Sequence, residues 1–426
     1  MSLMPISQDK RTKTRALLVG VELSSMNLGE AKALLEELQE LVETLDIEVA
    51  GAELVHLRHP HAPLFLGKGK VDEIIQRAQA LECDLIVFDN ELTPAQQRNW
   101  EEESGLAVID RQEVILDIFA ERAQTKEAVL QVELAYWEYA LPRLKRAWTH
   151  LSRQKGGGVT QRGEGEKQIE LDQRMVRQRI ARLKKEIEEV VQHRAVQRKQ
   201  RLKIPIPTAA IVGYTNAGKS SLLNKITGSN VLAEDKLFAT LDPTTRRVKL
   251  KSGRLLLLTD TVGFVRRLPH RLVDAFKATL EEAVHADFII HVMDVSNSQV
   301  EQHRKTTLRV LQELGVEEKD VLLVFNKVDA QQDLLFMSEL RAHFPNALFL
   351  SAKTGEGLDA LQDAMESLLE ASLTRMTLLI PYDKYEWVTR LHEVGAIDRK
   401  KDEEDGVHIV AYVPKRLQSS VKVFEV

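Results

Sequence analysis

Residues Gly213 to Ser220 read G-Y-T-N-A-G-K-S and follow a short apolar run, Thr208 to Val212. The pattern G-x-x-x-x-G-K-S after a strand confines this part of the chain to one local architecture: strand, phosphate-cradling loop, helix. Gly213 and Gly218 supply backbone turns that other residues resist. The backbone amides of Tyr214, Thr215, Asn216 and Ala217 then turn inward, and the next helix aims its N-terminus at the same phosphates. Lys219 places a point charge against the β- and γ-phosphates. The Ser220 hydroxyl is a hard oxygen ligand suited to Mg²⁺.

Further along, Leu255 to Leu258 is a run of four leucines, expected to be a buried parallel strand. It delivers Asp260, Thr261, Val262 and Gly263 to its carboxyl end, where ligands of open α/β sheets bind. Asp260 is placed to hold Mg²⁺ directly or through water, and the Gly263 amide to meet a γ-phosphate. After the strand-like Val321 to Phe325 comes Asn326-Lys327-Val328-Asp329. A carboxylate at 329 accepts from guanine N1–H and N2–H₂, donors that adenine lacks on that edge. Lys327 then packs its stem on the base and Asn326 braces the loops. Ser351-Ala352-Lys353 follows Ala347 to Leu350 and offers a backbone N–H to guanine O6. Four motifs in order, each at a strand's carboxyl end, predict a mostly parallel GTPase sheet with flanking helices, and GTP and GDP as ligands.

Two parts of the chemistry stay open on spacing alone. The loop that closes over the metal and γ-phosphate must supply a threonine, and Thr240, Thr244 and Thr245 all qualify. The attacking water of a phosphoryl transfer needs a polar group to orient it. The residue after Gly263 is Phe264, which lacks one.

The remaining chain reads as three further regions. Residues 1–111 alternate strand-like and helix-like runs, a small α/β domain. Within them, Pro60 to Lys70, with Gly67 and Gly69, reads as a plain strand-to-helix turn, the alternative being a loop that presents Lys68 and Lys70 to phosphates. Thr93 and Pro94 have the signature of a helix start. Residues 112–204 carry two heptad-like seams. One contains Leu130, Leu134, Trp137, Leu141 and Leu144, the other Val176, Ile180, Leu183, Ile187 and Val190. Two such seams bury each other in an antiparallel helical hairpin. Its tip, Gly156 to Lys167, has five glycines in twelve residues and is expected to be non-helical. Arg153, Lys155, Arg162 and Lys167 in or beside the tip, with Arg174 and Arg177 beyond it, are the candidate RNA contacts. Between Gln173 and Lys203 there are eleven Lys/Arg against three Glu, on a chain whose net charge is −5. That asymmetry suggests a polyanionic partner. Residues 205–372 form the GTPase domain. Residues 373–426 read as a small α+β domain with a strand, a helix over Asp383 to Val394, an acidic turn over Asp398 to Asp405, and a second strand.

One cysteine, Cys83, excludes an intrachain disulfide and fits a reducing, cytoplasmic setting. No stretch of 18 apolar residues spans a membrane, so at most peripheral membrane association is expected. The expected state is a monomer.

These motifs, together with F-L-G-K-G-K (Phe65 to Lys70), the tip G-G-G-V-T-Q-R-G-E-G-E and F-A-T-L-D (Phe238 to Asp242), closely resemble the HflX family of ribosome-associated GTPases in the Obg–HflX superfamily. The resemblance spans nearly the whole chain. It implies that Phe238, Ala239, Thr240, Leu241 and Asp242 line the nucleotide site and that Thr240 is the second Mg²⁺ ligand beside Ser220. It makes Lys219, Thr240 and Gly263 the catalytic set. It also implies binding to the large ribosomal subunit and its rRNA and the splitting of stalled ribosomes, a stress response. With Phe264 where a water-orienting residue is needed, intrinsic hydrolysis is expected to be slow and ribosome-stimulated. The competing expectations are an RNA-unwinding or RNA-modification-linked GTPase not acting on intact ribosomes, and a non-translational GTPase whose stalk binds proteins or a membrane surface.

Overall fold

A computed structural model describes residues 14–24, 26–27, 29–147, 160–201, 206–228, 236–267, 282–316, 319–393 and 396–426. Of residues 145–147, 160–169, 193–201, 372, 393 and 414–417 it describes the backbone alone. The chain divides into two compact units, residues 1–188 with 267–275 and residues 189–266 with 276–426.

The first unit begins with a βα alternation: β1 (Arg15–Leu23), α1 (Glu30–Thr44), β2 (Glu48–Leu57), α2 (Lys68–Ala80), β3 (Leu85–Phe88), α3 (Pro94–Ser104), β4 (Ala107–Asp110) and α4 (Arg111–Arg122). The strands form a four-stranded parallel sheet in the order β2-β1-β3-β4. Parallel strands need crossover helices, which cover their faces and make the strand runs apolar. The core gathers Leu17, Val19, Cys83, Ile86, Phe88, Trp100 and Val108. Trp100 packs edge-on against Phe88 at 4.9 Å and donates its indole N–H to the Leu64 carbonyl at 2.7 Å. The Thr93 start is built as a capping box with Gln96, Pro94 taking the first helical position. Lys68 and Lys70 open α2, and Lys70 pairs with Glu73 at 2.6 Å.

Two long helices follow, α5 (Lys126–Ala147) and α6 (Thr160–Arg201). From the hydrophobic seams, Leu130, Val176 and Leu183 are buried. The two helices are bridged by Arg179 and Glu133, two hydrogen bonds of 2.8 Å each, and by Lys184 and Glu138 at 2.9 Å. The tip departs from expectation. Gly163 and Gly165 lie inside α6, so residues 160–167 of the expected non-helical tip are helical. Each glycine costs about 1 kcal/mol relative to alanine in a helix. Glu164, Glu166, Lys167 and Gln168 favour the helix around them, and its propagation over 42 residues offsets that loss. Arg153 and Lys155 lie outside the described residues.

The second unit contains β5 (Thr208–Gly213), α7 (Lys219–Thr227), β6 (Thr244–Lys249), β7 (Leu255–Asp260), β8 (Phe288–Asp294), α8 (Val300–Glu313), β9 (Val321–Asn326), α9 (Leu334–His343), β10 (Leu348–Phe349) and α10 (Leu358–Ser372). The six strands run β10-β9-β8-β5-β7-β6, all parallel except the edge strand β6. Ala209, Ile211, Leu256, Leu258, Ile290, Val292 and Val324 fill one side of this sheet against Leu222, Leu361 and Met365.

The same unit ends in β11 (Leu373–Ile380), α11 (Glu386–Glu393), β12 (Ile397–Glu403), β13 (Gly406–Pro414) and α12 (Lys415–Val421). The sheet is antiparallel with β13 central. Its core takes in Ile206 and is flanked by Leu255 and Leu257 of β7. The expected acidic turn over Asp398 to Asp405 is mostly strand. β12 is an exposed edge, so its main-chain ladder to β13 holds it without an apolar alternation to betray it. Charges on such an edge also discourage pairing with other chains.

Candidate active site

The nucleotide motifs converge at the carboxyl ends of β5, β7, β9 and β10. β5 leads into the loop 213–218, and α7 starts at Lys219 with Gly218 as its N-cap at φ +87°. Both glycines are required by close approach as well as by turn geometry. A methyl group on Gly213 would overlap the Val292 carbonyl oxygen, and one on Gly218 would overlap the Asn326 side-chain amide. Asn216 sits in the left-handed region at φ +57°, which asparagine tolerates.

Lys219 is buried, and its ammonium donates to the carbonyls of Tyr214 at 2.9 Å and Gly213 at 3.3 Å. Burial pushes its pKa down to about 8, against the opposing pull of Asp260. A phosphate oxygen offers this ammonium a partner of full negative charge in place of neutral carbonyls.

Asp260 is fully buried. Its Oδ2 accepts from the Ser220 hydroxyl at 2.6 Å and the Thr240 hydroxyl at 3.1 Å, and those two hydroxyls lie 2.7 Å apart. Its Oδ1 is buried with no hydrogen-bond partner among the described residues. Burial pushes the carboxyl pKa up, while Lys219 and the two hydroxyls hold it down. Three hard oxygen donors around one point, one carboxylate oxygen still lacking a partner, is a donor set that fits Mg²⁺. Of the other threonines, Thr245 turns its hydroxyl to Thr259 at 2.9 Å, and Thr244 opens β6.

Thr261 and Val262 are buried, Thr261 donating to the Ile211 carbonyl at 2.7 Å. Gly263 lies directly on the phosphate loop: a methyl there would stand 2.6 Å from Thr215 Cα and 3.0 Å from Lys219 Nζ. Phe264 is locked to the same loop. Its N–H donates to the Gly213 carbonyl at 3.1 Å, and its carbonyl accepts from the Thr215 N–H at 2.7 Å. Its ring is buried. Phe264 therefore holds the segment in place.

The segment 236–242 closes the other side. Phe238 N–H donates to Thr215 Oγ1 at 2.8 Å, Leu241 is buried, and Ala239 and Asp242 are half-buried. A cleft is lined by Thr215, Asn216, Gly218, Lys219, Ser220, Lys236, Phe238, Ala239, Thr240 and Gly263. Lys236 is the one charged lining residue that no motif predicts.

At the base-reading end, Asn326 donates to the Ala217 carbonyl and accepts from the Ala352 N–H, each at 2.9 Å. Lys327 is left-handed at φ +65° and pairs with Asp294 at 2.8 Å. Asp329 is exposed on a 3-10 turn, Val328–Ala330. Ser351 is buried, its hydroxyl accepting from the Thr354 N–H at 3.1 Å, and Lys353 is exposed. Arg174 and Arg177 are exposed on α6 in the other unit, whereas Arg162 and Lys167 lie on its backbone-only stretch.

A P-loop sheet, the Asn326-Lys327-Val328-Asp329 loop beside it and a hydroxyl–carboxylate cluster define a GTP-hydrolysing protein of the P-loop class. Four family models match the chain in succession: GTP-binding GTPase N-terminal over residues 32–120, GTP-binding GTPase Middle Region over 122–201, 50S ribosome-binding GTPase over 208–327, and HflX C-terminal domain over 337–418. The chain is 48% identical to the GTPase HflX of Akkermansia muciniphila over 421 residues, covering 96% of each protein. It is 42% identical to the GTPase HflX of Escherichia coli K12 over 373 residues, covering 87% of each. This chain belongs to the HflX family of GTPases.

Proposed function

We propose that this GTPase depends on Mg²⁺, engages the large ribosomal subunit and its RNA in the GTP state, and splits stalled ribosomes, with hydrolysis resetting it. Ser220 and Thr240 would hold the ion, with Asp260 reaching it through water. Bound there, Mg²⁺ neutralises charge on the β- and γ-phosphate oxygens. Lys219 grips the same phosphates, the Gly263 amide meets the γ-phosphate, and Asp329 with the Ala352 region reads guanine. When the γ-phosphate leaves, the Thr240 and Gly263 segments lose their shared anchor and relax.

The burial of Phe264 against the phosphate loop carries the partner dependence. A residue locked into that loop orients no water, so fast turnover needs a group from outside. The match of residues 208–327 to a 50S ribosome-binding GTPase model supports the ribosome as that partner, and the exposed Arg174 and Arg177 support contact with RNA. Among the described residues no helix is long and apolar enough to cross a membrane. A monomer working in the cytoplasm fits this reading.

The test is co-sedimentation of the full chain with large subunits in GTP, GDP and a non-hydrolysable analogue, with hydrolysis rates measured in parallel. Subunit binding with the analogue, faster turnover on subunits, and loss of turnover in EDTA restored by Mg²⁺ are expected. Equal turnover with and without subunits would sink the ribosome dependence. Binding to free RNA alone would move the reading to an RNA-remodelling GTPase.

A further inference from the structure

We propose that Lys236 is a second phosphate-binding cation of this GTPase, gripping the γ-phosphate end of the nucleotide and stabilising the charge that builds there during hydrolysis. Lys236 lines the phosphate cleft with Lys219, Ser220, Thr240 and Gly263. Its place is fixed by clamps on the residues that follow. Two positions on, the Phe238 N–H is held by Thr215 Oγ1 at 2.8 Å and the ring is buried. Phe238 has φ +54°, a left-handed conformation that a bulky residue keeps only where its surroundings over-determine it. Two positions further, the Thr240 hydroxyl is tied to Ser220 and Asp260. Strain of this kind collects at ligand clamps. Here it sets the start of the segment at the rim of the cleft.

The chemistry calls for such a group. In the transfer, the water oxygen bonds to the γ-phosphorus, the bond to the β–γ bridging oxygen breaks, and that electron pair leaves with GDP. Both water protons leave with the phosphate product, one on the new hydroxyl and one on a γ-oxygen. Charge spreads over the γ-oxygens throughout, and catalysis is mostly its neutralisation. With Phe264 buried, the segment after Gly263 brings no polar side chain at that position. An ammonium on a flexible four-carbon stem follows an oxygen as it moves. Lys236 acts by position and transfers no proton.

The experiment uses full-length Lys236→Met, Lys236→Gln and Lys236→Arg. Single-turnover hydrolysis of γ-labelled GTP and the affinities for fluorescent GTP and GDP are measured for each. Lys236→Met is expected to slow hydrolysis by about tenfold or more and to weaken GTP, with GDP affinity changing by less than about twofold. Lys236→Arg should restore most of the rate. Should Lys236→Met not fold, Lys236→Gln is read by the same criteria. Wild-type hydrolysis, an equal loss of GTP and GDP affinity, or an arginine variant no better than methionine each overturn the assignment.

Discussion

The Tyr214 hydroxyl accepts a hydrogen bond from the backbone N–H of Arg266 at 2.7 Å, while its ring stacks on His303 at 3.7 Å with the planes only 4° apart. A residue of the phosphate loop thus holds the segment beyond Gly263 and lies against α8. Tyr214→Phe keeps the ring and removes one acceptor from a buried amide, a loss of about 1–2 kcal/mol. Deuterium uptake across residues 263–267 is expected to quicken by roughly tenfold, with GDP affinity little changed.

Asp329 predicts a change of base. In the proposed site Asp329 pairs with guanine N1–H and N2–H₂; Asp329→Asn removes that carboxylate, so GTP affinity should fall on the order of a hundredfold. The amide instead donates to the 2-oxygen of xanthine. Calorimetry with xanthosine triphosphate should show binding gained by the variant and absent from the parent chain.

Gly218→Ala tests the close approach to Asn326. The methyl would overlap the Asn326 amide at a backbone position with φ +87°. The strain is about 1–3 kcal/mol, and displacing Asn326 loosens both loops that it joins. Nucleotide affinity should fall by at least about tenfold, with a lowered melting temperature.

A pH dependence follows from the first unit. Glu113 is pushed up to about 7, mainly by burial and then by Asp117 and Asp110, and Asp117 is pushed up to about 6 by burial and Glu121. A carboxyl whose folded pKa exceeds its unfolded value binds more protons when folded. Its contribution is present below the unfolded pKa of 4.5 and is lost as pH rises through about 7. For Glu113 the difference is roughly 3 kcal/mol. Glu113→Gln should therefore stabilise the protein more at pH ~8 than at pH ~5.5, read by urea denaturation at both.

The legible parts of this chain are those where chemistry dictates residue type. Gly213, Lys219 and Ser220 have few substitutes in a phosphate loop, and the four leucines of β7 read as a sheet strand, with Leu256 and Leu258 fully buried and Leu255 and Leu257 half-buried. Spacing did not separate Thr240 from Thr244 and Thr245, because the difference lies in which hydroxyl reaches across to Ser220 and Asp260, a contact between elements. The strand over Ile397–Glu403 was hidden for a related reason: an exposed edge draws its order from β13, and its own side chains show no alternation. Gly163 and Gly165 misled in the opposite direction, since local propensity yields to a helix already propagating. Lys236 belongs to no motif, and only the fold reveals it as a wall of the cleft.

One carboxamide has a wider reach than its size suggests. The oxygen of Asn326 is held by the Ala352 loop, proposed to read the purine, and its nitrogen by the Ala217 loop, proposed to cradle the phosphates. Neither end of the nucleotide can be re-tuned alone through this residue. A lineage that altered base choice here would surrender its hold on the triphosphate as well, and selectivity and grip are inherited together.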